Sequence, residues 1–440
     1  MAKQIKTACG LIEGVECGNY TVYRGVPFAK PPVGERRWKA PERPDAWDGV
    51  FKADTFSAKC MQSVPGPGNP YLKEFYTDPE FLRPSDEDCL YLNIWTPAGA
   101  SADDKLPVAF WIHGGGFGGG YSSEIEFDGE AFAGQGIILV TINYRCGAAG
   151  FLAHPWLDAE NEKGISGNYG ILDQIAALTF VYENIGAFGG DPSNITVFGQ
   201  SAGCMSTQVL VSSGLTKGMI AKAILQSGVC CKVPAFDTLS LKDMEKWGEK
   251  FVEITGAKDL CELRAIPQEK LLRYWEIYQA ETFGRGMGLT FGPNVDGHVL
   301  EESVGSAYRN GTFHQIPYMV GCTGNDLLRT KEDEAAGVPG AILDECGAWG
   351  EKCAELGLPA YVYFFDRQLP GDDWGAFHSA ELWYTFGTLG RCWRPMEEHD
   401  HELSSQMNTA WADFMKTGDP AGAVEWPPYT GEDGFVKEFA

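Results

Sequence analysis

Ser201 stands at the centre of Gly199-Gln-Ser-Ala-Gly, directly after the β-branched and aromatic run Ile195-Thr-Val-Phe. Such a run suits a short buried strand, and residues 202–211 can continue as a helix. A strand that turns into a helix at a serine lifts the hydroxyl clear of the backbone. Only glycine-sized residues then fit two places to either side. That is how a nucleophile is presented. The pentapeptide alone is weak evidence, because glycine supplies 55 of 440 residues, so its surroundings must carry the argument. Upstream, His113-Gly-Gly-Gly-Phe-Gly-Gly-Gly follows the apolar run Val108-Ala-Phe-Trp-Ile. Glycines let a substrate carbonyl approach backbone N–H donors, which is what the oxyanion of acyl transfer requires. No acidic ribose ligand is placed to make this a dinucleotide loop.

The serine needs a base and an acid. Where a serine occupies a strand-to-helix turn of this kind, the acid follows it in the chain and the histidine comes last. Of seven histidines, His378, His399 and His401 come late enough. His399 and His401 sit in the polar run Glu-Glu-His-Asp-His-Glu, which reads as solvated surface. His378 sits in Gly375-Ala-Phe-His-Ser-Ala-Glu-Leu, a loop entering a partly apolar helix, and is the better base. The acid must follow a strand between the two. Asp326, after Tyr318-Met-Val-Gly-Cys-Thr, fits this. Asp296 also fits, although its Asp-Gly step favours a tight turn in its own right. Position leaves both open.

The elements that must hold these residues follow from periodicity. Apolar runs predict strands over 89–95, 108–113, 136–144, 195–198, 221–226, 318–321 and 361–365. A helix is expected over 170–185, with Leu172, Ile175, Leu178, Tyr182 and Ile185 as its apolar positions and Asp173 and Glu183 at the surface. Further helical patterns span 241–255, 268–281 and 401–416. Continuous apolar strands alternating with helices imply an α/β fold, an open and mostly parallel sheet covered on both faces. With 44% hydrophobic residues and no internal repeat, one domain over 1–440 is expected. A formal charge of −25 argues against nucleic acid or an anionic membrane as partner. No apolar run reaches the roughly 18 residues of a membrane span, and residues 1–6 lack a signal-peptide core, which points to the cytoplasm. A monomer and a small homo-oligomer fit the sequence equally well. Thirteen scattered cysteines leave at least one thiol free and do not suggest a disulfide scaffold.

Taken together, these motifs resemble the type-B carboxylesterases, the α/β-hydrolase family that includes para-nitrobenzyl esterases and cholinesterases. The matching stretches include Arg24-Gly-Val-Pro-Phe-Ala-Lys-Pro-Pro-Val-Gly, Glu87-Asp-Cys-Leu-Tyr-Leu-Asn-Ile-Trp, Trp111-Ile-His-Gly-Gly-Gly-Phe, Gly167-Asn-Tyr-Gly-Ile-Leu-Asp-Gln, Gly199-Gln-Ser-Ala-Gly and Ala376-Phe-His-Ser-Ala-Glu-Leu. They run in the family's order along nearly the whole chain. The resemblance implies an α/β-hydrolase fold with Ser201 as nucleophile, His378 as base and Asp326 as acid. It assigns Gly115, Gly116 and Ala202 to the oxyanion hole. It also implies an Arg37–Glu87 ion pair, a Cys60–Cys89 disulfide, and Phe117, Gln200 and Ser227 near the substrate pocket. Trp374 and Trp383 flank His378 in sequence and are expected either to wall that pocket or to pack in the core.

Three departures from the family stand out. Gln200 replaces the glutamate of cholinesterases, and Asp326 stands where the family more often shows a glutamate followed by glycine. The 52-residue step from Asp326 to His378 is short, which predicts a reduced cap over about 327–377 and an open site. The expected activity is hydrolysis of soluble short-acyl or aromatic esters, hydroxycinnamate esters among them, through an acyl-enzyme and without metal or organic cofactor. The alternatives are a non-catalytic cholinesterase-like binding protein, or the same machinery acting on a thioester, amide or lactone.

Overall fold

The computed structural model describes residues 3–440 apart from 64, 67, 284–289, 423 and 432–433. Its centre is a ten-stranded sheet. In chain order the strands are β1 (Val15–Glu16), β2 (Tyr20–Pro27), β3 (Tyr91–Pro97), β4 (Leu106–Ile112) and β5 (Ile138–Ile142). They continue with β6 (Gly190–Gln200), β7 (Lys222–Gln226), β8 (Tyr318–Thr323), β9 (Ala360–Phe365) and β10 (Val436–Phe439). Their order across the sheet is β10-β9-β8-β7-β6-β4-β5-β3-β2-β1. From β5 through β4 and β6 to β10 every pairing is parallel. The β5–β3, β3–β2 and β2–β1 pairs are antiparallel. The sheet is therefore mixed, with the expected parallel core and an antiparallel flank.

The helices that matter for the site are α1 (Pro70–Phe75), α2 (Tyr169–Asn184), α3 (Ala202–Ser212), α4 (Leu241–Thr255), α5 (Gln268–Phe283), α6 (Ala341–Glu355) and α7 (Glu398–Thr417). They cover both faces. Along β6 the side chains alternate: Ile195 and Val197 join the core beneath α2, α3 and α6, and Phe198 joins the core beneath α7. A strand covered on both sides must be apolar throughout, which is why β5 reads Ile-Leu-Val-Thr-Ile and is buried at every position. No helix among the described residues is long and apolar enough to cross a membrane.

The expected face of α2 holds at Leu178 and Ile185, which are buried, and at the exposed Glu183, but fails at two positions. Asp173 lies fully buried while Tyr182 is exposed. The cause is a bidentate ion pair: Arg145 Nε and Nη2 donate to Asp173 Oδ2 and Oδ1 at 2.8 and 2.7 Å, and the Arg145 N–H adds a third bond at 3.0 Å. That pair ties α2 to the segment after β5. Arg37 and Glu87 form a second buried fork, with both contacts at 2.6 Å.

Removing one partner of a buried pair leaves an uncompensated charge, at a cost of about 3–5 kcal/mol. Asp173→Ala should therefore lower unfolding free energy by about that amount in urea denaturation. A variant within about 0.5 kcal/mol of the parent would show that the pair does not hold α2.

Candidate active site

Ser201 lies between β6 and α3 at φ 58° and ψ −124°. A left-handed φ is costly for a residue with a Cβ, so it persists only where the surroundings fix it. Here the Ser201 N–H donates to Gln226 O at 2.9 Å and the Ser201 carbonyl accepts from Met205 N at 3.0 Å. The two glycines make room for the turn. A Cβ on Gly199 would lie 2.4 Å from the Gly203 carbonyl, and one on Gly203 would lie 2.0 Å from Ile112 O.

The glycine loop follows β4. Gly115 and Gly116 take φ values of 101° and 60°. The Gly115 carbonyl accepts from Gly118 N and Gly119 N at 3.0 and 3.1 Å. Gln62 pins the far end, donating to Gly120 O and accepting from Gly120 N, both at 2.8 Å. Beneath the loop, His113 stacks on Tyr144 with ring centroids 4.3 Å apart, and its Nδ1 lies 2.9 Å from Gly114 O. Burial pushes His113 down to about 4, so it is a neutral support near pH 7. Ala202 is the first residue of α3, where helix geometry leaves N–H groups without an intrahelical acceptor. No described residue accepts from the N–H of Gly115, Gly116 or Ala202.

A short parallel bridge between Asn325 and Phe377, with Asn325 N donating to Ala376 O at 2.8 Å, draws together the loops after β8 and β9. His378 Nδ1 thereby lies 2.5 Å from Asp326 Oδ1. The carboxylate also accepts from Thr323 N at 3.0 Å and Leu327 N at 2.7 Å. Burial raises the Asp326 carboxyl, but the His378 charge and the hydrogen bonds, one from Ser227 included, outweigh it and hold the group below its usual value. Burial depresses His378. Asp326, then Glu381, overcome this and lift it above an ordinary imidazole. Glu381 is itself fully buried, accepts from Gln226 Nε2 at 3.3 Å, and is raised by burial to about 7.

Asp296 is elsewhere. Its Oδ1 accepts from His298 N and Val299 N at 2.9 and 2.7 Å, so it closes its own turn. His399 and His401 are exposed. Gln200 reaches the centre, its amide nitrogen 3.2 Å from His378 Nε2. Ser227 is buried beside Asp326. Phe117 packs edge-on against Phe151 at 5.1 Å beneath the glycine loop. Trp374 stacks on Phe377 at 4.1 Å, and Trp383 is buried behind Phe75 with its Nε1 donating to Glu74 at 2.9 Å. These three aromatic rings do not line the cavity. The implied Cys60–Cys89 disulfide is also corrected: both are free thiols, and Cys60 Sγ accepts from Cys146 N at 3.1 Å as well as bonding the Cys89 thiol. Cys60 is thus shared between two neighbours.

Ser201, His378, Gly115 and Gly116 border one cavity of about 520 Å³. From the 327–377 segment, Leu327 reaches it; the other walls include Gln62, Tyr71, Tyr76, Phe127, Gln279 and Leu382. Sequence reasoning missed Tyr71, whose hydroxyl donates to His378 O at 3.0 Å, and the buried carboxyls Glu124 and Glu126. The alternation Glu124-Ile-Glu-Phe, just past the glycine loop, was the available signal for the latter pair.

The chain as a whole is similar to known proteins. The family model described as the carboxylesterase family matches residues 1–339 and 348–439. A fumonisin B1 esterase of Sphingopyxis macrogoltabida is 34% identical, over 96% of this chain and 84% of that protein. The para-nitrobenzyl esterase of Bacillus subtilis is 33% identical, over 97% and 92%. Among solved structures, a PNB esterase superposes with a TM-score of 0.85 at 30% identity, covering 100% of this chain and 96% of the other. A carboxylesterase from Geobacillus stearothermophilus gives 0.80 at 34%, covering 99% and 96%. A match along almost the entire length, on an α/β-hydrolase sheet with a serine turn and a glycine loop at one cavity, places this chain in the carboxylesterase family.

Proposed function

We propose that the chain hydrolyses carboxylic esters through a serine acyl-enzyme. The observation that carries this reading is the 2.5 Å contact of His378 with Asp326 beside Ser201, at the cavity bordered by Gly115 and Gly116. Asp326 holds the His378 proton on Nδ1 and leaves Nε2 to act as base. Exchange of the Gln200 amide for the Ser201 hydroxyl at Nε2 lets the imidazole take the serine proton as Oγ attacks the ester carbonyl. The N–H groups of Gly115, Gly116 and Ala202 receive the oxyanion. Collapse expels the alcohol, which takes the proton from His378. Water, activated by the same base, then releases the acid. The whole chain 1–440 acts as one unit, and the short 327–377 segment leaves the cavity walls to other loops.

The favoured substrates are soluble short-acyl or aromatic esters. The cavity is compact, Phe75, Tyr71 and Tyr76 border it, and a charge of −25 opposes docking on an anionic lipid surface. An active nucleophile and base at these positions also favour an enzyme over a binding protein that keeps only the scaffold.

Ser201→Ala should abolish hydrolysis of p-nitrophenyl acetate by a factor on the order of 10⁶ in kcat while preserving the fold. A phosphonate probe should label Ser201; labelling of another serine would overturn the assignment. Asp326→Asn should cost around 10⁴ in kcat, because it favours the wrong imidazole tautomer. The base works unprotonated, and its raised pKa places the acid limb of kcat/KM above the ordinary imidazole value. Loss of the Asp326 charge should move that limb to lower pH, whereas Asp296→Asn should leave it in place. An Asp296→Asn profile that moves instead would transfer the acid role to Asp296. The efficiency for p-nitrophenyl acetate and butyrate should exceed that for the palmitate ester and for emulsified triglyceride. The opposite ranking, or activation at an oil interface, would refute the compact-ester reading.

A further inference from the structure

Tyr71 borders the cavity from α1 and grips the loop that carries His378. Its ring lies edge-on to Trp374 at 5.2 Å and to Phe377 at 6.3 Å, so it packs on the residues just before the base. Its hydroxyl donates to His378 O at 3.0 Å, and the Ser379 hydroxyl donates to the Tyr71 oxygen. Burial raises the Tyr71 phenol, so it stays protonated and remains a donor. Asn69 Oδ1 accepts from Tyr71 N at 3.0 Å and anchors the start of α1.

The backbone at this point is strained. Ser379 has φ 84°, in the left-handed region that a residue with a Cβ keeps only where its surroundings hold it. The next N–H groups along the chain do not serve the His378 carbonyl. Ala380 N donates to Phe377 O at 2.9 Å and Leu382 N to Ser379 O at 3.2 Å. The local turn thus passes over one carbonyl, and a phenol from 307 residues earlier meets it. That carbonyl shares a planar peptide with the Ser379 nitrogen. Rotation of this plane is the motion that relieves Ser379, and it displaces the Cα from which the imidazole projects. The Asn325–Phe377 bridge fixes the loop one residue before His378, and the Tyr71 hydroxyl fixes it one peptide after.

We propose that Tyr71 is a positioning residue for the base: its hydroxyl holds the 378–379 peptide in the left-handed turn and so keeps the imidazole between Asp326 and Ser201. This rests on the ester-hydrolysis reading above and gives a wall residue a part in the chemical step. The ring contacts of His378, to Asp326 at 2.5 Å and to the Gln200 amide at 3.2 Å, orient the imidazole but do not fix its backbone. The charged groups that face the ring are Asp326 and Glu381. Burial depresses His378, while Asp326 and then Glu381 lift it above the ordinary imidazole value. When the turn relaxes, the ring leaves Asp326 and its pKa falls back toward that value.

The test is Tyr71→Phe, which keeps the ring and removes the hydroxyl, with thermal melting to confirm the fold. For p-nitrophenyl acetate, kcat should fall by about tenfold to a hundredfold while KM stays within about threefold. Histidine labelled with carbon-13 gives a second readout that needs no turnover. The His378 signal, assigned by its loss in His378→Gln, should titrate at lower pH in Tyr71→Phe than in the unmodified protein. A kcat unchanged within about twofold would overturn the proposal. So would a loss carried by KM, which would make Tyr71 a wall for the substrate alone. A fall in kcat with an unmoved His378 titration would also overturn it, since the hydroxyl would then be a general fold contact. Failure of the hydrolysis reading would appear separately, as absence of turnover by the unmodified protein, while the titration still reports whether the hydroxyl holds the imidazole against Asp326.

Discussion

Three backbones meet where α3 leaves β6, and no side chain fits between them. Gly203 rests on the Ile112 carbonyl at the end of β4, and Gly199 rests on Gly203. This contact forces the turn at Ser201 and also fixes where the glycine loop begins, because Ile112 is the last residue of β4. One close approach therefore sets the spacing between the serine hydroxyl and the N–H groups of residues 115 and 116. The other parts of the site follow the same rule of geometry. The loops after β4, β6, β8 and β9 all leave the carboxyl ends of parallel strands, where an open α/β sheet gathers its functional groups. The Asn325–Phe377 bridge adds the remaining constraint by locking the acid and base loops to each other.

The buried carboxylates divide by the partner each has been given. Asp173, Glu87 and Glu74 are each paired with an arginine, at 2.7, 2.6 and 3.1 Å, and join segments far apart in sequence. An arginine stays charged, so these pairs are fixed fasteners. Asp326 is paired with an imidazole instead, a partner that can gain and lose a proton near neutral pH. Glu381, Glu124 and Glu126 lack a guanidinium partner, and burial raises all three. A permanent counter-ion produces structure.

The fold and the central machinery were legible because they rest on local rules. A run such as Ile195-Thr-Val-Phe is a strand in almost any context, and a serine between glycines two places away reports the tight crossing directly. The choice of His378 over His399 and His401 needed only the polarity of their neighbours. Asp326 and Asp296 could not be separated by position, since what distinguishes them is the tertiary bridge at Asn325 and the ring of N–H donors around Asp296. The face of α2 was misread for a similar reason: its period is correct, but a buried arginine outside the helix turns Asp173 inward. The edge strand β10 lacked a signal because Val436-Lys-Glu-Phe is short and half polar. Trp374 and Trp383 show the limit of sequence proximity. They neighbour His378 along the chain, yet their rings pack on Phe377 and Phe75.

The cavity walls were the least legible part, because they are assembled from segments that meet through the sheet and not along the chain. Residues 62–76 reach the site through two pins of different kinds, the Gln62 amide on Gly120 and the Tyr71 hydroxyl on the His378 carbonyl. The first holds the glycine loop and the second holds the His378 backbone, so one segment braces two sides of the cavity. Another wall is made by Glu124, Glu126 and Phe127, on the segment that leaves the glycine loop. The chain as a whole carries 60 acidic residues against 35 basic ones, a field that disfavours anions around the cavity.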